Sequence, residues 1–381
     1  MSDRAQSNSD EEIINTTCAS HCGSTCVLKL HLKDGIITRI ETDDGEEPQL
    51  RACARGRAYR QRVYAPDRVL YPMKRIGERG EGKFERISWD EAVDTIARQI
   101  IRVRDTYGPA SIIILAMAGD LGRIHGTSQM RRVLSLAAGG TTVTWGITSF
   151  HGGMYAQEVT YGTQSTSNTR DDLVNSRLII MWGWNPAITI TGVNTNWFLT
   201  QAKEAGARIV AVDPRYTTSA AVFANEWIPI RPGTDGAALL AMAYVIIKEN
   251  LQNQFLDTYT IGFDKFKDYV TGVEDGVAKT PAWAEAISGV PAATIDSLAR
   301  EYATTKPAAL VAGIAPGRTA FGEQYHRIAI TLAAMTGNVG IHGGDAAGRA
   351  WESVVGGYPY KLSRGGPRAM VNPAEANAPP T

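Results

Sequence analysis

The chain has 381 residues, a length that predicts more than one domain. Apolar residues make up 44% of it and charged residues 20%, which excludes a mainly disordered protein. Basic and acidic residues both number 39, so a formal net charge of zero gives no general attraction for nucleic acid or anionic membranes. No apolar run approaches the roughly 20 residues that span a bilayer. The polar residues 1–12 predict an unstructured tail without an export signal.

Residues 13–72 predict a small β-rich module. Apolar and polar residues alternate over 27–31 and over 36–41, and Asp34-Gly35 between them suits a tight turn. We therefore expect a β-hairpin here, directly behind the third of four cysteines.

An alternation of strands and helices follows, and it predicts a doubly wound α/β fold. Ser88 and Glu91 form a capping box before a helix that ends near Gly108. Apolar runs predict strands, and a 3.6-residue period predicts helices. The predicted strands are 111–116, 178–182, 208–212 and 308–312, and the predicted helices are 194–205, 236–249, 294–303 and 325–335. Ligands of such sheets bind at the carboxyl ends of the strands, so the loops there are the candidate site.

We expect five parts in the chain, with bounds that the family resemblance described below implies. These are a tail (1–12), the β-rich module (13–72), a discontinuous α/β domain (73–172 with 305–345), a dinucleotide-type α/β domain (173–304) and a loop-rich tail (346–381).

The cysteines have a three-plus-one spacing, with Cys18, Cys22 and Cys26 close together and Cys53 apart. Four cysteines in so long a chain argue against a disulfide framework. Four thiolates bind a cubane [4Fe–4S] cluster or a tetrahedral zinc ion. The spacing favours the cluster, because zinc sites usually pair their ligands as two separate clips, and zinc remains the alternative. Arg55 follows Cys53 and either raises the potential of a cluster or belongs to a solvated turn.

Motifs from about residue 17 to about residue 344 resemble the dimethyl sulfoxide reductase family of molybdenum enzymes. The order and spacing of the matching stretches carry the resemblance. These stretches are 18–26, 51–57, 67–74, 80–89, 213–217, 227–235 and 336–340. The resemblance implies a [4Fe–4S] module at 13–72, followed by doubly wound α/β molybdopterin-binding domains, of which 173–304 binds a pterin guanosine.

The implied cofactor is a molybdenum ion held by two pterins, each extended by guanosine diphosphate, that is, molybdenum bis(molybdopterin guanine dinucleotide). Ser149 matches the serine that ligates molybdenum in sulfoxide-type reductases, with Thr148 as an alternative one residue away. No cysteine lies nearby, which argues against branches with a cysteine or selenocysteine ligand. Arg55 matches the position between cluster and pterin. His151 is a candidate for the substrate funnel, although a lone histidine is more often structural.

The loops at the strand ends supply the candidate nucleotide contacts. A carboxylate at a strand end can accept hydrogen bonds from guanine, and amides before a helix can face a pyrophosphate. The candidates are Gly183, Asn185, Asp213, Arg215, Gly233, Thr234 and Asp235.

The implied reaction is two-electron oxygen-atom transfer from an S-oxide or N-oxide in anaerobic respiration. The implied partners are a ferredoxin-like multi-cluster iron–sulfur subunit and a quinol-oxidising membrane anchor, with no nucleic acid. Three alternatives remain: a reductase of another oxyanion such as selenate, a non-catalytic iron–sulfur electron-transfer or assembly fragment, and a zinc-stabilised nucleotide-binding protein.

Catalytic subunits of the family continue well past residue 381, so we expect this chain to correspond to their N-terminal half. We also expect it to hold its cofactors poorly without the remainder. The sequence alone predicts a cytoplasmic protein, whereas relatives are often exported and attached to a membrane complex.

Overall fold

The computed structural model describes residues 11–18, 26–42, 51–115, 127–142, 149–163, 166–189 and 194–348. The chain divides into two compact units. The first comprises Met1–Trp145 with Tyr358–Thr381, and the second comprises Gly146–Gly357.

A three-stranded antiparallel sheet opens the first unit. Its strands lie in the order β1 (Glu12–Thr17), β2 (Val27–Lys33) and β3 (Ile36–Thr42). Asp34 and Gly35 have positive φ angles of 52° and 74°, as a two-residue type I′ turn requires. The predicted hairpin is therefore confirmed. Residue 12 departs from the predicted tail, because Glu12 pairs with Leu32 as the first residue of β1.

The rest of the first unit consists of short elements and one long helix. These elements are α1 (Ala54–Arg57), α2 (Tyr59–Val63), β4 (Met73–Arg75), β5 (Phe84–Arg86), α3 (Trp89–Tyr107) and α4 (Thr127–Ala137). The Ser88 hydroxyl accepts a hydrogen bond from the Glu91 N–H at 3.0 Å, and Gly108 ends α3 with a φ of 83°. The start and end predicted for this helix are confirmed.

The strand predicted over 111–116 is wrong for the residues that the structure describes. A 3-10 turn occupies Pro109–Ser111, and a single parallel bridge joins Ile113 to Thr142. Ile113 is 52% exposed and Leu115 is 81% exposed. A β-branched run becomes a buried strand only where neighbouring strands satisfy its backbone on both sides, and one bridge does not provide that.

The second unit contains a four-stranded parallel sheet with the order β8-β7-β6-β9. Its strands are β6 (Leu178–Trp182), β7 (Arg208–Val212), β8 (Glu226–Ile228) and β9 (Ala308–Ala312). Three of these strands have the predicted bounds, and the predicted doubly wound α/β class is confirmed.

Nine helices are described in this unit, and several cover the two faces of the sheet. They are α5 (His151–Tyr161), α6 (Thr195–Glu204), α7 (Thr218–Phe223), α8 (Asp235–Lys248), α9 (Phe255–Tyr259), α10 (Phe263–Thr271), α11 (Pro281–Ser288), α12 (Ala292–Thr304) and α13 (Gly322–Met335). Leu178, Ile180 and Trp182 pack in the core formed with α8, α12 and α13. Ile179 and Met181 pack with α6 and α7 on the opposite face.

The sheet to which β9 belongs differs from the domain division predicted from the sequence. That division grouped residues 305–345 with residues 73–172. Backbone hydrogen bonds join β9 to β6, with Leu178 opposite Ala308, so β9 shares the sheet of residues 173–304. Ala346 and Ala347 are also buried, although the sequence predicted a loop-rich tail from residue 346.

The chain that follows α13 is fixed at the amino ends of β6 and β9. The Asn338 side-chain oxygen accepts a hydrogen bond from the Ala308 N–H at 3.1 Å. The Ser176 hydroxyl donates to the Gly343 carbonyl at 2.7 Å, and the Asp172 carboxylate accepts from the Gly343 N–H at 2.8 Å. These hydrogen bonds therefore attach the chain after α13 to the amino ends of β6 and β9.

Among the described residues, no helix combines the length and the apolar character needed to cross a membrane.

The core of the second unit gives a stability prediction. Ile180 is fully buried in the central strand, so Ile180→Ala should lower the free energy of unfolding by about 2–5 kcal/mol through lost transfer energy and a cavity. Urea denaturation measures this loss. Ile188→Ala is the control, because Ile188 is 62% exposed and its loss should change stability by less than about 0.5 kcal/mol. Equal effects of the two variants would contradict the assigned core.

A buried histidine crosslinks the sheet of the first unit. His31 is 4% exposed, and its ring nitrogens lie 2.9 Å from Glu41 and 3.1 Å from Glu11. Arg39 also reaches this ring. The hydrogen bonds to Glu41 and Glu11 raise the pKa of His31 above its ordinary value, since the protonated ring donates to both carboxylates.

Raising the pH from 6 to 9 should weaken this sheet. A base with a raised pKa in the folded state stabilises fully below its unfolded value of about 6.5, and this stabilisation is lost as the pH rises through the folded pKa. The hydrogen bonds with His31 lower the pKa values of Glu11 and Glu41, so both carboxylates stay ionised from pH 6 to 9 and their own titration changes stability only at acid pH. Amide exchange of β2, corrected for intrinsic rates, should show the loss in the parent chain and little of it in His31→Gln. His342→Gln, which alters a 96% exposed histidine, is the control; identical pH profiles for parent and His31→Gln would refute the assignment.

Candidate cofactor sites

The first candidate site lies at one end of the three-stranded sheet. Cys18 follows β1 and Cys26 precedes β2, and the Cys18 N–H donates to the Cys26 carbonyl at 2.8 Å. Both cysteines are buried. Their backbone contact closes the loop that contains Cys22, which itself lies outside the described residues.

Helix α1 begins after the fourth cysteine and packs beside Cys18. Cys53 is the residue before α1 and is half-buried. Gly56 lies on the buried side of α1, where a Cβ atom would stand 3.6 Å from the Cys18 Sγ and 3.0 Å from the Ala52 Cβ. Glycine at this position therefore allows the helix to pack closely beside Cys18.

The described residues place Cys18 beside Cys26, and α1, which begins after Cys53, beside Cys18. Among these residues, no three His, Cys, Asp or Glu side chains are close enough together to hold one metal ion. Arg55 is exposed on α1, and its predicted role between two cofactors stays a prediction.

The second candidate site is the edge where the parallel strands of the second unit end. Gly183 follows β6 with a φ of 57°, and a Cβ atom there would lie 2.6 Å from the Pro316 Cδ. Gly313 follows β9, and a Cβ atom on it would overlap the Gly183 backbone. The two loops therefore touch backbone to backbone, which larger residues would prevent. The Tyr325 hydroxyl adds a hydrogen bond to the Trp182 carbonyl at 3.2 Å.

Asn185 is held by a residue that the sequence did not single out. Its side-chain oxygen accepts a hydrogen bond from the Ser219 hydroxyl at 2.6 Å, and the same hydroxyl accepts from the Ala187 N–H at 2.9 Å. Ser219 is fully buried near the start of α7. In the sequence, only Thr217, the N-cap residue of α7, indicates that a helix begins here. No sequence pattern links Ser219 to Asn185.

Asp213 and Arg215 occupy the loop after β7. The Asp213 carboxylate is half-buried and accepts a hydrogen bond from the Arg215 N–H at 2.9 Å. Burial raises the pKa of Asp213, and the contacts with Arg215 oppose that rise. The Asp213 carbonyl also accepts from the Trp227 indole N–H at 2.8 Å, and the exposed Tyr216 ring packs edge-on against Trp227.

Gly233, Thr234 and Asp235 form the turn into α8. Gly233 has a φ of 78°, and the Thr234 hydroxyl donates to the Arg231 carbonyl at 2.7 Å. Asp235 is buried, and its carboxylate accepts from the Trp182 indole N–H at 2.9 Å. Burial raises the pKa of Asp235, whereas the hydrogen bond from Trp182 lowers it. The Asp235 side chain therefore belongs to the core, and only its backbone remains for a ligand.

Ser149 is tied to the loop that follows β9. The Arg318 Nε–H donates to the Ser149 carbonyl at 2.7 Å. His151 is half-buried as the first residue of α5. A Cβ atom on Gly152 would lie 2.7 Å from the Gly317 carbonyl, so the start of α5 packs directly on this loop. Thr148, the alternative to Ser149, lies outside the described residues.

Comparisons with known families and proteins indicate which cofactors belong to this chain. The family model described as molybdopterin oxidoreductase matches residues 68–374, and the model described as a molybdopterin oxidoreductase Fe4S4 domain matches residues 11–65. Together they support a molybdenum–pterin cofactor and a [4Fe–4S] cluster.

Several known proteins are similar to this chain. The dimethyl sulfoxide reductase DmsA of Escherichia coli (strain K12) is 44% identical over 90% of this chain and 45% of that protein. The dimethyl sulfoxide/trimethylamine N-oxide reductase of Rhodobacter capsulatus is 32% identical over 82% of this chain and 39% of that protein. The solved structure of acetylene hydratase from Pelobacter acetylenicus matches with a TM-score of 0.67 and 26% identity, over 87% of this chain and 44% of that one.

The chain thus spans about half the length of the curated relatives that it matches. The oxidoreductase model covers most of the sequence. The chain belongs to the molybdopterin oxidoreductase family.

Proposed function

We propose that this chain is the N-terminal part of a molybdenum-dependent reductase that removes an oxygen atom from S-oxides and N-oxides in anaerobic respiration. The observation that carries the proposal is the attachment of Ser149, through Arg318, to the edge of the sheet that holds the other candidate loops. Relatives named as reductases of dimethyl sulfoxide and trimethylamine N-oxide support the substrate class.

The residues of the second unit fit a pterin nucleotide. Gly233 has a positive φ angle, and only the Thr319 side chain lies within 4 Å of where a Cβ atom would stand, so a large ligand can approach this backbone closely. Asp213 supplies a half-buried carboxylate that can accept from guanine N–H groups. The turn of Gly233 and Thr234 leads into the 14-residue α8, and the amino end of a helix favours a pyrophosphate.

We further propose the bis(molybdopterin guanine dinucleotide) form, with one nucleotide in these loops. The proposed contacts are Gly183, Asn185, Asp213, Arg215, Gly233, Thr234 and Asp235. The bound cofactor supplies the two-electron chemistry that converts an S-oxide, two electrons and two protons into a sulfide and water. Ser149 would hold the metal through its side-chain oxygen, in the deprotonated form that ligand atoms require. His151 is proposed to line the route of the substrate.

The thiolates of Cys18, Cys22, Cys26 and Cys53 are proposed to hold the [4Fe–4S] cluster, with Arg55 carrying a positive charge between cluster and pterin. The burial of Cys18 and Cys26 supports this arrangement, because exclusion of water protects and tunes such clusters. Electrons would come from a ferredoxin-like multi-cluster subunit and a quinol-oxidising membrane anchor.

Hydration without a redox step is the second candidate function. The similarity to acetylene hydratase, a protein whose name denotes that reaction, is the observation that favours it. Turnover of an S-oxide with a reduced viologen dye distinguishes the two functions, because hydration consumes no electrons.

Metal analysis of the anaerobically purified chain tests the cofactors. We expect about four iron and four acid-labile sulfide per chain, and a large loss of both in Cys53→Ser. Ala54→Ser is the matched control, because it changes the neighbouring exposed residue and keeps all four thiols. Zinc without sulfide would reject the cluster. Iron without molybdenum would favour the electron-transfer or assembly alternative.

Substitution of Ser149 tests the ligand. In the molybdenum-loaded holoenzyme, Ser149→Ala should lower kcat for dimethyl sulfoxide by about 100-fold or more, the scale of losing one directly acting group. The Mo(V) electron paramagnetic resonance signal should change with it. Thr148→Ala is the control and should leave both near the parent values. The reverse pattern would assign the ligand to Thr148, and two unchanged variants would reject this loop.

A further inference from the structure

We propose that Arg318 is a positioning residue that fixes the main chain at Ser149 and thereby sets where the Ser149 hydroxyl is presented. The inference rests on the proposed function, because only there does Ser149 act as a ligand. Arg318 lies far from Ser149 in sequence and belongs to the loop after β9, and the packing of the start of α5 on this loop brings the two together.

The hydrogen bond between them is a strong one. The Arg318 Nε–H donates to the Ser149 carbonyl at 2.7 Å. A donor that carries a permanent positive charge makes a hydrogen bond roughly twice as strong as a neutral one. The guanidinium of arginine also stays charged at any pH that a folded protein experiences.

The backbone on the arginine side is itself well fixed. Arg318 ends a 3-10 turn in which its N–H donates to the Ala315 carbonyl at 3.1 Å. The Thr319 hydroxyl and N–H both donate to the Pro316 carbonyl, at 2.8 Å and 3.2 Å. Arg318 therefore reaches toward Ser149 from a rigid support.

On the serine side, the helix leaves the carbonyl of Ser149 without an intrahelical donor. The first backbone hydrogen bond of α5 runs from the Met154 N–H to the Phe150 carbonyl at 3.2 Å, so Ser149 lies just before it. Ser149 and Arg318 are both exposed, and Arg318 supplies a fixed donor to this carbonyl in place of water. The direct packing of Gly152 on Gly317 excludes a large shift of this turn.

Position matters because a catalytic ligand displaced by about 1 Å can cost about 100-fold in rate. Loss of the arginine contact would let the peptide unit of Ser149 rotate toward water. The ligand residue would remain present, and its geometry would no longer be fixed.

Hydrogen exchange on the chain without cofactors tests the contact itself. Arg318→Gln should increase exchange in the first turn of α5 by about tenfold, the scale of losing one net hydrogen bond. Arg327→Gln is the matched control. Arg327 is an exposed arginine nearby in the chain, and its guanidinium contacts Gln324 at 3.2 Å. Unchanged exchange in Arg318→Gln would overturn the inference.

Measurements on the molybdenum-loaded holoenzyme test how the Arg318 contact affects Ser149 as a metal ligand. Arg318→Gln should shift or broaden the Mo(V) electron paramagnetic resonance signal and lower kcat by about 10- to 100-fold, with KM for dimethyl sulfoxide within about twofold. Arg318→Lys keeps the charge without the rigid Nε–H, so we expect partial recovery. A raised KM with the parent signal would mean that Arg318 contacts substrate instead, which would overturn positioning.

The two proposals fail in different ways. If Ser149→Ala keeps parent activity and signal while Arg318→Gln loosens α5, the ligand assignment is wrong and the contact is only structural. If Ser149→Ala loses activity while Arg318→Gln changes neither exchange nor signal, the ligand assignment holds and the positioning role is rejected.

Discussion

Parallel hydrogen bonding between β6 and β9 is the constraint on which the second unit depends. Strands that run in one direction end at one edge of a sheet, so the loops after β6, β7 and β9 meet there. Glycine at 183 and at 313 lets the loops after β6 and β9 touch. Ser149 then joins the same edge through Arg318. Residues spread over most of this unit thereby become neighbours at a single edge.

Much of this architecture could be predicted from the sequence because its signals are local. The segments 178–182, 208–212 and 308–312 are short apolar runs, and a strand covered on both faces needs no alternation. Asp34-Gly35 could be recognised because few residues adopt positive φ at two successive positions. The start of α13 was predicted three residues late. Its first residue is Gly322, a poor helix former, which lies there because a Cβ atom would meet the Gly317 backbone.

The contacts that make the candidate site could not be predicted, because they join distant parts of the chain. No local pattern indicates that Arg318 reaches Ser149 or that Ser219 holds Asn185. The local pattern at Asp235 was clear but did not predict the contact that the side chain makes. Its position before a helix suggested a ligand contact, yet the indole of Trp182 binds the carboxylate inside the core. Local patterns therefore predicted the loops of the candidate site better than the individual atoms that a ligand would contact.

The pairing of β6 with β9 also affects how the protein is made. Leu178 pairs with Ala308 only after every helix from α6 to α12 has been synthesised. Until then β6 keeps an unpaired apolar edge, and such edges promote pairing between different chains. Contacts between segments so far apart in sequence form slowly. On the ribosome, the second unit is therefore exposed to aggregation until β9 docks, and a chaperone that covers β6 would act in that interval.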